Sequence, residues 1–197
     1  MPHFPAAHTL SILLSREQIA ARVTAMGRQI REDLHGESVV LVGVLKGATL
    51  FLADLARSID ADCTFDFVSA SSYRSQTVSS GAVQLVKDLT EPIEGKNVII
   101  VEDILDTGVT LSFLQSHMER HKPASLRIAT LLDKPSRRLR PIAADYIGFS
   151  IPDEFVVGYG LDYAEHYRNL PDVRIFKLTN EQLSAPEEAR PRSLTDR

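Results

Sequence analysis

Residues 98–111 read VIIVEDILDTGVTL. A short run that is apolar at every position and rich in β-branched residues is how a strand buried on both faces reads, and such strands belong to parallel sheets. The run closes on Glu102 and Asp103, then passes through Asp106, Thr107, Gly108 and Thr110 into helical spacing. In open α/β sheets, ligands bind beyond the carboxyl ends of strands. A turn with glycine and hydroxyl residues at a helix N-terminus offers backbone N–H groups and a positive dipole to one phosphate, which accounts for Thr107, Gly108 and Thr110. Three carboxylates beside such a cradle would repel a bare polyphosphate. Two adjacent carboxylates that accept hydrogen bonds from a sugar's 2- and 3-hydroxyls, while the N–H groups hold its 5-phosphate, reconcile the two halves. The stretch fits a ribose 5-phosphate.

Working outward, the same alternation recurs. Ser15 followed by Gln18 makes a capping box, and Ile19, Val23, Met26, Ile30 and Leu34 keep helical spacing until Gly36. The run VVLVGVL ending at Leu45 reads as a second doubly buried strand, Thr49 to Ile59 as a helix, and Thr64 to Val68 as a strand. Between Ala70 and Gly81 lies ASSYRSQTVSSG, serine-rich, aperiodic and long for a connection inside a compact domain, which marks either a functional lid or disorder. Strand patterns follow at VQLV, NVIIV, Leu126 to Leu132, Tyr146 to Phe149, Phe155 to Tyr159 and Val173 to Leu178, with a helix from Thr110 to His121. This order predicts an open α/β fold with a mostly parallel sheet.

The totals bound the function. A chain of 197 residues with 44% hydrophobic content can bury a core. A net charge of -4 provides no general basic field, so no nucleic-acid partner is expected. Cys63 is the only cysteine, which excludes an internal disulfide and a cysteine-based zinc cluster and fits a reducing, cytoplasmic setting; it reads as buried and inert. No apolar stretch approaches membrane-spanning length, and the first residues, with Pro2 and Pro5, do not read as a secretory signal. A Walker A loop would need lysine where Val109 stands, and GYGLDY lacks the third glycine of a dinucleotide fingerprint. His117 and His121 lie one helical turn apart without a third ligand at suitable spacing, so they read as a solvated face.

With these residues in view, the chain resembles the hypoxanthine (guanine) phosphoribosyltransferases of the type I phosphoribosyltransferase family. VEDILDTG is close to that family's phosphoribosyl-binding signature. LKG at Leu45 to Gly47 is similar to its pyrophosphate loop, SSY at Ser71 to Tyr73 to the start of its lid, and DKPSRR at Asp133 to Arg138 to its base-binding segment. IPDEFVVGYGLDYAEHYRNLP is similar to the hood that covers the purine, so the likeness spans roughly Leu41 to Leu178.

The resemblance implies a central, mostly parallel sheet flanked by helices in one domain over residues 1–183, with a core of about 37–150 and a hood from about 1–14 and 151–180; the stretch at 184–197, charged and proline-bearing with little to bury, reads from its composition as a mobile tail. It implies a magnesium-dependent purine salvage enzyme that joins a 6-oxopurine to phosphoribosyl pyrophosphate. Asp106 would be the general base; Glu102 and Asp103 would hold the ribose and Thr107, Gly108 and Thr110 its phosphate. Lys46, Gly47 and Arg168 would bind pyrophosphate, and Lys134, Phe155 and Val156 the purine. Asp162 would be the metal's ligand, with Ser72 and Tyr73 leading the lid. A homodimer or homotetramer is implied as well. Val109 stands where some relatives carry lysine, a departure expected to alter affinity rather than activity. The base preference among hypoxanthine, guanine and xanthine stays open, as does the isomer of the Leu45–Lys46 peptide. A competing reading is a nucleic-acid-binding regulator on the same fold; Asp106, Lys134 and the lack of a basic patch stand against it.

Overall fold

The computed structural model describes residues 8–72 and 83–178. Strand β1 spans His8–Leu14, helix α1 Arg16–Asp33, β2 Val39–Val44, α2 Thr49–Ser58, β3 Cys63–Ser72 and β4 Val83–Lys87. Then come β5 Asn97–Leu105, α3 Val109–Glu119, β6 Ser125–Asp133, β7 Tyr146–Ser150, β8 Val156–Val157 and β9 Val173–Leu178. A six-stranded sheet has the order β4-β3-β2-β5-β6-β7, parallel throughout except for the antiparallel edge strand β4. A separate three-stranded antiparallel sheet has the order β1-β9-β8.

The elements follow from local chemistry. Ser15 caps α1, its side chain accepting from the Gln18 N–H while the Gln18 side chain accepts from the Ser15 N–H. A cap of this kind contributes about 1 kcal/mol. Ile19, Val23, Met26 and Ile30 form the buried stripe of α1, which packs on α2 and one face of the sheet. Leu111, Leu114 and Met118 of α3 cover the other face over Val42, Val98 and Ile100. Strands covered on both sides must be apolar at every position, hence VVLVGV and VIIV.

Some boundaries differ from the sequence reading. β5 does not stop at Glu102 and Asp103; it continues to Leu105, with Ile104 opposite Leu132 and Leu105 opposite Asp133. β8 is two residues long, not a strand to Tyr159, because the backbone turns left-handed at Gly158, Tyr159 and Gly160. β3 runs on through Ala70, Ser71 and Ser72, so those residues are strand rather than loop. Tyr73 and the tail at 184–197 lie outside the described residues.

Candidate active site

The chain reverses direction across the sheet between β2 and β5: β3 lies on one side of that pair and β6 on the other. A crevice therefore opens beyond the carboxyl ends of β2, β5 and β6, where the two crossover connections diverge. Each of these three ends delivers one polar segment: Leu45–Gly47 after β2, Glu102–Gly108 at the end of β5, and Asp133–Arg138 after β6.

A cavity of about 250 Å³ occupies this place. Residues 102–108 with Thr110 form one wall, Lys134 and Arg137 a second, and Asp153, Phe155, Val156 and Leu161 a third. Of the expected residues, Glu102, Asp103, Asp106, Thr107, Gly108, Thr110, Lys134, Phe155 and Val156 thus surround one space. Ser72 ends β3, and Lys46, Gly47, Asp162 and Arg168 form a neighbouring cluster.

The turn at the head of α3 is tightly determined. Gly108 caps the helix with φ +80°, and a Cβ there would fall 2.5 Å from Ile142 Cγ2. Only glycine takes that conformation at little cost. Thr107 O accepts from the N–H groups of Leu139 and Arg140, and Thr107 Oγ1 accepts from Val109 N–H. Residues in the first turn of a helix have N–H groups without intrahelical partners, aimed here at the crevice.

The carboxylates differ in their surroundings. Burial, and then the neighbouring Asp103 carboxylate, push Glu102 well above the usual carboxyl range, and Glu102 Oε2 is buried without a hydrogen-bond partner among the described residues. Asp103 is 8% exposed and its carboxylate lies against Gly47, where a Cβ would come within 1.7 Å of Oδ2. The glycine after Lys46 is therefore required by the close approach of β5. The Leu45–Lys46 peptide is cis, which settles the isomer the sequence left open. Asp106 is met by Arg137, whose Nε lies 2.8 Å from Oδ1 in an ion pair outside hydrogen-bond geometry.

Lys134 is 6% exposed, and its N–H donates to Leu105 O, tying the ends of β5 and β6 together. Burial pulls its ammonium below the usual lysine range, while Asp106 and Asp153 oppose that; Asp153 Oδ1 is 3.9 Å from Nζ. Phe155 packs edge-on against Tyr163 and Phe176 at 6.0 and 5.9 Å and still lines the cavity. In the neighbouring cluster Glu165 bridges two cations, Lys46 Nζ at 3.0 Å and Arg168 Nη2 at 3.4 Å. Arg168 also reaches Asp162 Oδ1 at 2.8 Å and donates to Gly160 O.

Sequence reasoning missed Glu165, Arg137 and Asp153. Their signal was present only as charges inside segments already singled out, Arg137 in DKPSRR and Asp153 and Glu165 in IPDEFVVGYGLDYAEHYRNLP, and charge alone does not tell a bridging residue from a solvated one. Arg138, which closes DKPSRR, donates from its guanidinium to Leu105 O, Asp106 O and Asp133. It clamps the backbone that carries Asp106.

Comparison with known proteins agrees with this geometry. Residues 9–164 match the family described as phosphoribosyl transferase domain. The chain is 49% identical over 166 residues to the hypoxanthine phosphoribosyltransferase of Escherichia coli, covering 83% of this chain and 93% of that one. It is 48% identical to the hypoxanthine-guanine phosphoribosyltransferase of Bacillus subtilis, covering 84% and 92%. A crystal structure of a Bacillus anthracis hypoxanthine-guanine phosphoribosyltransferase superposes with a TM-score of 0.80 at 53% identity, covering 84% of this chain and 97% of that one. Related sequence also forms part of longer proteins: the chain spans 26% of the length of the bifunctional protein TilS/HprT of Listeria innocua, at 48% identity. The chain belongs to the phosphoribosyltransferases of type I fold, a glycosyltransferase class. Within that class its family is that of the hypoxanthine and hypoxanthine-guanine phosphoribosyltransferases.

Proposed function

We propose that the chain transfers a 5-phosphoribosyl group from phosphoribosyl pyrophosphate to a 6-oxopurine, hypoxanthine first and guanine next, for purine salvage. The observation that carries this reading is the shared cavity: the carboxylate turn with its phosphate cradle and the Lys134–Phe155 wall face one space. In that space the bond from the anomeric carbon to pyrophosphate breaks as the bond to the purine's imidazole nitrogen forms. Asp106 takes the proton that this nitrogen loses. Glu102 and Asp103 accept from the ribose hydroxyls and face the positive charge that develops on the sugar.

The 5-phosphate sits on the N–H groups from Thr107 to Thr110, and pyrophosphate on Lys46, Gly47 and Arg168. Lys134 donates to the 6-oxo group, Phe155 stacks on the purine and the Val156 main chain reads its edge. An amino group at position 6 would face that ammonium with two more donors, which disfavours adenine. Ser72 and Tyr73 begin the lid that excludes water.

Magnesium fits the residues present. Glu102, Asp103 and Asp162 are a set of hard oxygen donors, and the buried Glu102 Oε2 has no hydrogen-bond partner among the described residues. Asp162 would be the protein ligand, and the ion would supply charge neutralisation for the departing pyrophosphate.

The protein works in the cytoplasm as a homodimer or homotetramer. Exposed Leu50 and Phe65 support association, and among the described residues no helix is long and apolar enough to cross a membrane. The small β1-β9-β8 sheet is the hood over a core of about 37–150, within a domain of residues 1–183. Incubation with phosphoribosyl pyrophosphate, magnesium and each of hypoxanthine, guanine, xanthine and adenine tests the reading. Hypoxanthine should turn over fastest, and Asp106→Asn should lower kcat about a hundredfold or more with little change in Tm. Turnover of none of the four would overturn it in favour of a regulator on the same fold.

A further inference from the structure

Two histidines one helical turn apart meet an aspartate 29 residues before the first of them, at the far end of α3 from the phosphate cradle. His117 lies in the last turn of α3, His121 one turn beyond it, and Asp88 directly after β4. Their side-chain donor atoms all lie within 4.8 Å of one another. His117 Nε2 is 2.9 Å from Asp88 Oδ1, and the two imidazole rings are 5.1 Å apart. Phe113 stacks on the His117 ring at 6.3 Å and 14°, so the central ligand of the three is held in place by packing. The third ligand that spacing along the helix did not supply comes from another element.

We propose that Asp88, His117 and His121 bind a divalent transition-metal ion, zinc by preference. Two imidazoles and one carboxylate are the donor set that zinc accepts, whereas magnesium takes oxygen almost alone. Donors at about 2.0–2.2 Å from one ion stand roughly 3.5 Å apart in a tetrahedral site, so small rotations of the exposed Asp88 and His121 side chains close the triad. The fourth position is left to water. The inference does not rest on the reaction proposed above, because α3 places about 16 Å of helix between this cluster and the cradle.

Arg120 sets the terms of binding. Its Nη2 lies 2.9 Å from His117 Nδ1, and a guanidinium only donates, so Nδ1 accepts and the ring proton stands on Nε2, donated to Asp88. An ion taken at Nε2 requires that lone pair. The Nε2 proton then leaves as one is gained at Nδ1, the ring stays neutral, and Arg120 must turn away. Arg120 is the ion's competitor. A bound ion ties the segment after β4 to the end of α3, and so stabilises the fold without entering the catalytic cavity.

The test is a zinc titration by calorimetry of tag-free protein, first stripped with a chelator, in millimolar magnesium to occupy the oxygen-rich site. One ion per chain is expected. His117→Ala and His121→Ala should each weaken binding about tenfold or more, and Arg120→Gln should strengthen it. The cobalt-substituted protein should show visible absorption that His121→Ala loses, while hypoxanthine turnover of His121→Ala without zinc stays that of the parent. Since His121 and Asp88 are exposed, Asp88→Asn with His121→Ala supplies a folded control, checked by circular dichroism. Equal zinc affinity and stoichiometry in parent and double variant would place the ion elsewhere and overturn the proposal.

Discussion

At the scale of single residues, two carboxylates of the candidate site carry measurable consequences. Asp106 is paired with Arg137, which also reaches Asp153 at 3.5 Å, so with Asp106 as the base proposed above an approaching purine has to displace a guanidinium. Arg137→Gln should therefore lower KM for hypoxanthine about threefold with kcat nearly unchanged, as steady-state kinetics would report; both groups are partly exposed, so the effect is modest. A raised KM would instead make Arg137 a purine contact. Glu102 gives a pH signature. Its folded-state pKa is raised by burial and Asp103, so the folded state holds a proton that the unfolded chain releases. Stability is then lost as pH rises from the unfolded value of about 4.3 towards the folded one. Glu102→Gln removes that loss: its Tm should exceed the parent's at pH 8, with the gap closing towards pH 4, while phosphoribosyl pyrophosphate binds more weakly. Thermal melts across that range decide it.

At the scale of elements, the head of α3 concentrates both local constraint and much of the candidate site. Gly108→Ala would place a methyl against Ile142 in a left-handed conformation, costing about 1–3 kcal/mol. Because the same turn presents the N–H groups proposed above to hold the 5-phosphate, KM for phosphoribosyl pyrophosphate should rise well beyond KM for hypoxanthine, and substrate-specific kinetics would separate the two. This element was legible in the sequence because its information is local: a buried run, a carboxylate pair and a glycine turn lie within residues 98–111. The capping box of α1 was legible for the same reason, since Ser15 and Gln18 find each other three residues apart. What stayed hidden depends on partners far along the chain. Asp88 meets His117 over 29 residues and Lys46 meets Glu165 over 119, and no periodicity encodes either pair. The short β8 escaped because Tyr159, between two glycines, turns left-handed in a run that reads as extended.

At the scale of the molecule, the chain is built around separate apolar clusters, and this predicts that stability and purine binding can be varied separately. β9 lies between β1 and β8, so the small sheet joins strands from opposite ends of the described chain. Its cluster centres on Phe176, 2% exposed, stacked on Tyr163 at 4.6 Å and on His8 at 5.0 Å, and touching Phe155 edge-on. Another cluster lies under α3, around Leu114 and Met118, both fully buried. Phe176→Ala and Leu114→Ala should each destabilise by about 3–5 kcal/mol, since both empty a buried site. Only the first removes the backing of Phe155, the ring proposed to lie on the purine. Phe176→Ala should therefore raise KM for hypoxanthine several-fold at a temperature where both variants remain folded, leaving KM for phosphoribosyl pyrophosphate near the parent's. Leu114→Ala should melt early yet keep the parent's purine KM. If both variants raise it alike, purine affinity follows global stability, and the small sheet has no separate part in holding the base.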